Sequence, residues 1–210
     1  MANRDAPFGF RPVRMLDGSP WNGAITPMVI PASDNTATFI GDVVNFTAAA
    51  SLAGVTVNGM NLEGVPNVIR SGSGTVGQNT AGVIVGFLPD LTNLNLKYRL
   101  ASTLRVALVC LADGVIFECQ EDATTTPLPA ASANLNIPYS TTAGSTTTGV
   151  SKMELVSASA AATATLPLRL LGLSKRLGNA YNTAGADTDN AVWEVYFNTS
   201  QQKPNIVGVA

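Results

Sequence analysis

Histidine is absent from the 210-residue chain, cysteine occurs twice, and charged side chains make up only 12% of it, about half the roughly 25% usual for soluble domains. Each scarcity excludes something. Without histidine there is no Ser-His-Asp or Cys-His catalysis, no His-ligated zinc and no histidine proton switch near neutral pH. Two thiols lacking a third or fourth ligand make a poor zinc set. A net charge of −2 provides no global field for tracking nucleic-acid phosphates. Long apolar runs are also missing. The best membrane candidate, residues 43–62, carries Asn45, Asn58, Asn61, Gly54 and Gly59, and polar groups that dense are costly in hydrocarbon. The opening MANRDAPFGFRPVR has no apolar stretch of the secretory kind.

What the chain does have is 46% hydrophobic residues, enough for one domain with a core. Its polar surface must come from Ser, Thr, Asn and Gln. Such a surface repels a neighbour weakly and offers many neutral hydrogen bonds, which suits a protein packed against other subunits.

Residues 1–24 read as an extended arm. Pro7, Pro12 and Pro20 with Gly9, Gly18 and Gly23 break any helix. Phe8, Phe10, Val13 and Trp21 must fold back on the parent domain or dock on a neighbour. Residues 25–210 read as one β-rich domain. Residues 26–30, 38–40, 42–46 and 65–70 are short β-branched runs bounded by turn formers. Residues 82–88 (GVIVGFL) form a nearly continuous apolar run, as in a strand buried on both faces. Asn58-Gly59 and Asp113-Gly114 each predict a two-residue hairpin. The second hairpin, over residues 105–120, pairs Cys110 with Phe117. It gathers Val106, Leu108, Cys110, Ala112, Val115, Phe117 and Cys119 on one apolar, core-facing side. Residues 123–151, uncharged and rich in Ser and Thr, read as a long loop or a pair of edge strands. Ser151-x-x-Glu154 fits a capping box for a short helix near 155–164, while Met153 and Leu155 also allow a strand at 152–156. Residues 166–173 and 192–198 close the chain as strands, with Trp193, Val195 and Phe197 on one face. The expected class is mostly β: an antiparallel sandwich or barrel, jelly-roll-like in one version, with an extended N-terminal arm and little helix.

Chemical motifs are weak. Gly72-Ser-Gly74-Thr-Val-Gly77 matches the dinucleotide fingerprint, but residues 82–88 follow too soon for the helix that fingerprint needs. In the 105–120 register the two cysteines lie diagonally, roughly 7–8 Å apart and beyond disulfide reach. They read as buried free thiols, in keeping with assembly in a cytoplasm. Glu118 and Glu121 lie on opposite strand faces. Asp34, Asp90, Asp122, Asp187 and Asp189 read as turn formers. Ser200-Gln-Gln-Lys203 sits beside Pro204 rather than at a helix start. Arg4, Arg11 and Arg14 lack the interleaved aromatics of a nucleic-acid platform. The sequence therefore points to no catalytic residue, cofactor or metal, and to neither nucleic acid nor membrane as partner. A carbohydrate-binding β-domain, with Trp193 or Trp21 as sugar platform, stays open.

Several phrases occur together: Pro7-Phe-Gly-Phe-Arg-Pro, Trp21-Asn-Gly-Ala, Gly41-Asp-Val-Val, Gly82-Val-Ile-Val-Gly-Phe-Leu-Pro-Asp90, Phe117-Glu-Cys-Gln-Glu-Asp122 and 164–173 (ATLPLRLLGL). In combination the chain resembles head decoration, or cement, proteins of tailed bacteriophages. The resemblance implies a β-rich, non-enzymatic subunit made in the host cytoplasm and bound to the outer surface of the virion. Its partners would be the major capsid protein and itself, as homodimer or homotrimer. Another phage subunit, of tail, collar or head fibre, fits the same composition. The resemblance supplies no site residue. The arm suggests Phe8, Phe10, Arg11 and Arg14 as contact residues, because an apolar, basic arm has nothing of its own to bury against.

Overall fold

The computed structural model describes residues 3–51, 54–75, 80–122, 127–180 and 190–202. Among these, helix is confined to two single 3-10 turns, Ala130–Ser132 and Ser157–Ser159. The strands in chain order are β1 (Arg11–Met15), β2 (Thr26–Ile30), β3 (Val43–Ala50), β4 (Thr56–Val57), β5 (Met60–Asn61) and β6 (Pro66–Arg70). There follow β7 (Gly82–Phe87), β8 (Arg105–Leu111), β9 (Val115–Gln120), β10 (Asn136–Ile137), β11 (Leu168–Leu173) and β12 (Val192–Phe197). The fold is mostly β, with a closed barrel in the order β2-β6-β3-β7-β8 and an open sheet in the order β1-β9-β12-β11-β10. All barrel pairs are antiparallel except one parallel contact, Val29 beside Asn67, between β2 and β6.

Period-two alternation builds both layers. Met28, Ile30, Val44, Val68, Ile84, Ala107 and Val109 come from all five barrel strands and fill the barrel interior. Their neighbours Val43, Val83 and Cys110 point the other way and join Val115, Phe117 and Cys119 of β9, Leu168 and Leu170 of β11, and Trp193, Val195 and Phe197 of β12. This second core lies between barrel and sheet. A smaller cluster of Val29, Leu62 and Val106 sits on another flank of the barrel, with Val55 and Val57 beside the β4–β5 hairpin packed onto it.

The two hairpin expectations diverge. Asn58 (φ 52°) and Gly59 (φ 78°) both take positive φ, and Val57 pairs with Met60, as a type I′ turn requires. At Asp113-Gly114 only Gly114 does (φ 74°), and β8 and β9 do not pair. β8 lies between β2 and β7 in the barrel, whereas β9 lies between β1 and β12. The turn is a corner that passes the chain from one sheet to the other. The reason is burial: Ala107 and Val109 fill the barrel while Cys110 faces the shared core, so β8 is covered on both sides. The expected apolar face survives across the corner from Cys110 to Cys119, but Val106 enters the third cluster and Leu108 is only half-buried. Both cysteines are free and buried.

The capping box does not form. Ser151 Oγ donates to Asp42 Oδ1 (2.6 Å) and accepts from the Met153 N–H (3.1 Å), so the chain turns instead of starting a helix. Leu155 makes isolated bridges to Glu121 and Tyr139, and Ser157–Ser159 is the only helical turn in 155–164. Within 127–151, β10 forms a sheet edge and Val150 bridges Ile40; residues 123–126 lie outside the described residues. Gly72 and Gly74 follow β6 directly. A Cβ on Gly74 would collide with the Tyr139 backbone, which explains that glycine by close packing. Val76 and Gly77 are outside the described residues.

Candidate interaction surface

Several groups able to do chemistry are tied into the fold. Asp42, fully buried, accepts from the Phe39 N–H (2.9 Å), from Ser151 and from Arg70 Nε (2.8 Å). Burial pushes its carboxyl up against the opposing pull of Arg70 and these hydrogen bonds. Arg70 also donates to the Thr141 and Thr142 carbonyls, so the pair ties β3 and β6 to two loops. Burial pushes the Cys110 thiol up to about 12 and Cys119 well above its ordinary value, which leaves both as thiols rather than nucleophilic thiolates. Among the described residues no group of three or more His, Cys, Asp or Glu could hold a metal ion, and no helix is long and apolar enough to cross a membrane. Trp193, 1% exposed, faces the shared core, so it is not a sugar platform; Trp21 is half-buried against the same core. Asp187, Asp189 and Lys203 lie outside the described residues.

The four arm residues are placed differently from one another. Phe10 is 2% exposed and meets Tyr139 edge-on and Phe197 at a tilt, each with ring centroids 5.4 Å apart. The premise that the arm has nothing of its own to bury against therefore fails for Phe10. Gly9 makes this possible. Its φ is +70°, and a Cβ there would collide with the Gly41 carbonyl and Ser151, so only glycine brings the chain close enough for the Phe10 N–H to reach Gly41 O (2.9 Å). Upstream, Gln120 clamps the chain by donating to Arg4 O (2.8 Å) and accepting from the Ala6 N–H (3.1 Å). Phe8 is half-buried, with the guanidinium groups of Arg11 and Arg176 over its ring at 4.7 and 5.6 Å. Both arginines also pair with Glu118, at 3.6 and 3.8 Å, while Arg14 pairs with Glu194 at 2.6 Å. Arg11 and Arg14 remain partly exposed; Phe10 does not.

A group of exposed apolar side chains lies elsewhere, on the loop of residues 88–104 between β7 and β8. Leu91 and Leu94 are 70% and 75% exposed, and Leu100 and Leu104 are about 40% exposed. The loop is held from inside by two arginines. Arg99 has no exposed surface: Nε donates to Thr103 O, Nη1 to Asp34 Oδ2 and Thr36 O, and Nη2 to Pro31 O and Asp34 O. All five guanidinium N–H groups are thereby used. Arg105 donates to the carbonyls of Leu88, Tyr98 and Leu96 and lies over the Phe87 ring at 5.2 Å. Tyr98 stacks on Phe39 with centroids 5.0 Å apart. The Asp90 carboxylate caps the Thr92 N–H and hydroxyl, which holds it below the usual carboxylate range. Asn58, at the tip of the β4–β5 hairpin, donates to Pro89 O (2.8 Å). Between hairpin and loop lies a pocket of about 190 Å³ with Val57, Leu91 and Leu104 in its wall.

The sequence reading passed over this loop. A signal was present in Leu91-Thr-Asn-Leu94-Asn-Leu96, where leucines sit among turn formers and fit neither a strand nor a helix period. No family model, curated protein or solved structure matches the chain.

Proposed function

We propose that the chain is a non-enzymatic structural subunit of a tailed-bacteriophage virion, a head decoration protein that binds outside the shell of the major capsid protein and stabilises it. The capsid assignment comes from the resemblance that several phrases of the sequence carry together. The observation that carries the structural role is where the charge goes. Of eight arginines in the chain, Arg11, Arg14, Arg70, Arg99 and Arg176 are paired with carboxylates of the same chain. Arg105 is buried among carbonyls. Much of the arginine charge is thus offset within the chain, and with only 12% charged residues the surface is mostly neutral and polar, which lets identical copies crowd with little repulsion. We read the core shared by barrel and open sheet as sandwich-like packing that makes one stiff body suited to bearing load.

Capsids that lack the protein, mixed with purified protein, test this reading. Co-sedimentation with hundreds of copies located on the outer shell by cryo-electron microscopy is the expected result. Absence of binding, or density confined to tail, collar or fibre, overturns it.

A further inference from the structure

We infer that Asn22 is a modification site: the backbone nitrogen of Gly23 attacks its side-chain amide and, without an enzyme, converts the residue to aspartate or isoaspartate. Asparagine before glycine offers this reaction the least steric resistance, because glycine has no Cβ to shield its nitrogen. The chain holds two such pairs, Asn22-Gly23 and Asn58-Gly59. Both are exposed, and neither glycine is crowded. What separates them is how each asparagine is held.

At Asn22 the Ala24 N–H donates to Oδ1 (3.1 Å). This turn folds the side chain back along the backbone that attacks it. It also draws electron density from Cγ, as an oxyanion-hole donor does. Among the described residues neither Asn22 Nδ2 nor the Gly23 N–H has a hydrogen-bond partner, so the leaving group and the nucleophile both exchange protons with water. The pair lies outside every strand, between Trp21 and β2, and the backbone rotation that closes the ring breaks no ladder bond.

Asn58 is held in the opposite way. Its Nδ2 donates to Pro89 O (2.8 Å), which ties down the group that must leave. Its positive φ belongs to a turn closed by Val57 and Met60, so ring closure there requires opening the hairpin. The Asp-Gly pairs at 17–18 and 113–114 carry carboxyl groups, whose ionised form resists attack. The Ser19 N–H and hydroxyl hold Asp17 below the usual carboxylate range.

In the reaction the Gly23 nitrogen bonds to Asn22 Cγ, the Cγ–Nδ2 bond breaks, and ammonia leaves with the proton that the nitrogen gives up. Water then opens the cyclic imide. Cleavage at Cγ yields aspartate. Cleavage at the main-chain carbonyl yields isoaspartate, which routes the backbone through the former side chain and lengthens it by one carbon. Either product adds a negative charge. Gly23 lines a pocket of about 570 Å³ together with Trp21 and Ile25, and Arg11 is the one charged side chain among the described lining residues. The face that carries Arg11 therefore changes charge as the chain ages. The modification does not depend on the decoration reading.

Ageing the purified chain at pH 8 and about 37 °C, where asparagine is labile, tests this. Conversion is followed by mass-spectrometric peptide mapping, with isoaspartate detected by enzymatic methyl transfer. In the folded chain Asn22 is expected to convert at least about tenfold faster than Asn58. In guanidinium chloride, where the hydrogen bonds that separate the two are gone, the rates are expected to be similar. Asn22→Gln, whose longer side chain closes a ring far more slowly, is expected to abolish the early mass gain, and Asn58→Gln to leave it in place. Equal rates in the folded chain, faster conversion at Asn58, or a preference for Asn22 that persists in the unfolded chain overturns the proposal.

Discussion

Glu154 carries a buried carboxylate oxygen, Oε1, with no hydrogen-bond partner. Burial pushes its carboxyl up to about 7; Asp5 and Asp122 add to the rise and Lys152 opposes it. Glu121 is also pushed up to about 7 by burial, although it accepts from the Leu128 and Ala191 N–H groups. A carboxyl with a folded pKa above its unfolded value contributes stability that is complete below the unfolded value of 4.5 and lost as pH rises through about 7. Thermal melts are therefore expected at lower temperature at pH 8 than at pH 5. Glu154→Gln removes its share of that loss and is expected to gain about 1 kcal/mol at pH 8, discounted because the residue is only half-buried. A variant whose melting profile keeps the wild-type slope would place the pH dependence elsewhere. The glycine at position 9 is the residue-scale counterpart in the backbone. The rule that glycine takes positive φ was readable from sequence, but the near neighbour that requires it, Gly41, was not.

At the scale of elements, identical local signals had different outcomes. Asn58-Gly59 closes a hairpin because β4 and β5 are short and pack on the barrel from outside, where only each other is at hand. Asp113-Gly114 opens a corner because the strands beside it each have a more extensive partner elsewhere. Turn chemistry fixes how sharply the chain can reverse; it does not choose the strand that receives the ladder. The loop of residues 88–104 depends on Arg99 in a way sequence does not announce, since a lone arginine reads as a surface charge. Arg99→Met removes the cation beside the buried Asp34 carboxylate and a donor from each of the carbonyls of Pro31, Asp34, Thr36 and Thr103, and a loss of about 3–5 kcal/mol is expected. Hydrogen exchange should accelerate first at the amides of residues 91–100 and later in the barrel strands. Simultaneous acceleration everywhere would mean that the loop is not a separate cooperative unit.

In the whole molecule, the barrel and the open sheet share one core, and Phe10 is packed into it against Tyr139 and Phe197. The two layers are therefore expected to unfold together in a single urea transition. Phe10→Ala is expected to lower the unfolding free energy by about 3–5 kcal/mol, with the steepness of the transition unchanged. Two separated transitions would show that the layers fold independently. Because Phe10 belongs to the core, removing the arm to test shell binding confounds contact with stability. Arg11→Ala and Arg14→Ala are better probes, since partly exposed ion pairs contribute only about 0–1 kcal/mol.

The sequence by itself determined what depends on composition and period. Alternation marked Val115, Phe117, Cys119, Trp193, Val195 and Phe197 as inward-facing, and they are. β-branched runs marked all five barrel strands, although β3 runs on to Ala50, past the expected end at residue 46, and the missing histidines removed whole classes of chemistry. These features are local, because a side chain's face follows from its own neighbours along the chain. Tertiary structure alone decided which strands pair, where residues 3–15 lie, and which leucines remain exposed. Those outcomes depend on competition among distant apolar surfaces for the same burial. A strand covered on both faces joins whichever layers can cover it, and Leu91 and Leu94 stay in water because buried arginines hold their loop away from the core.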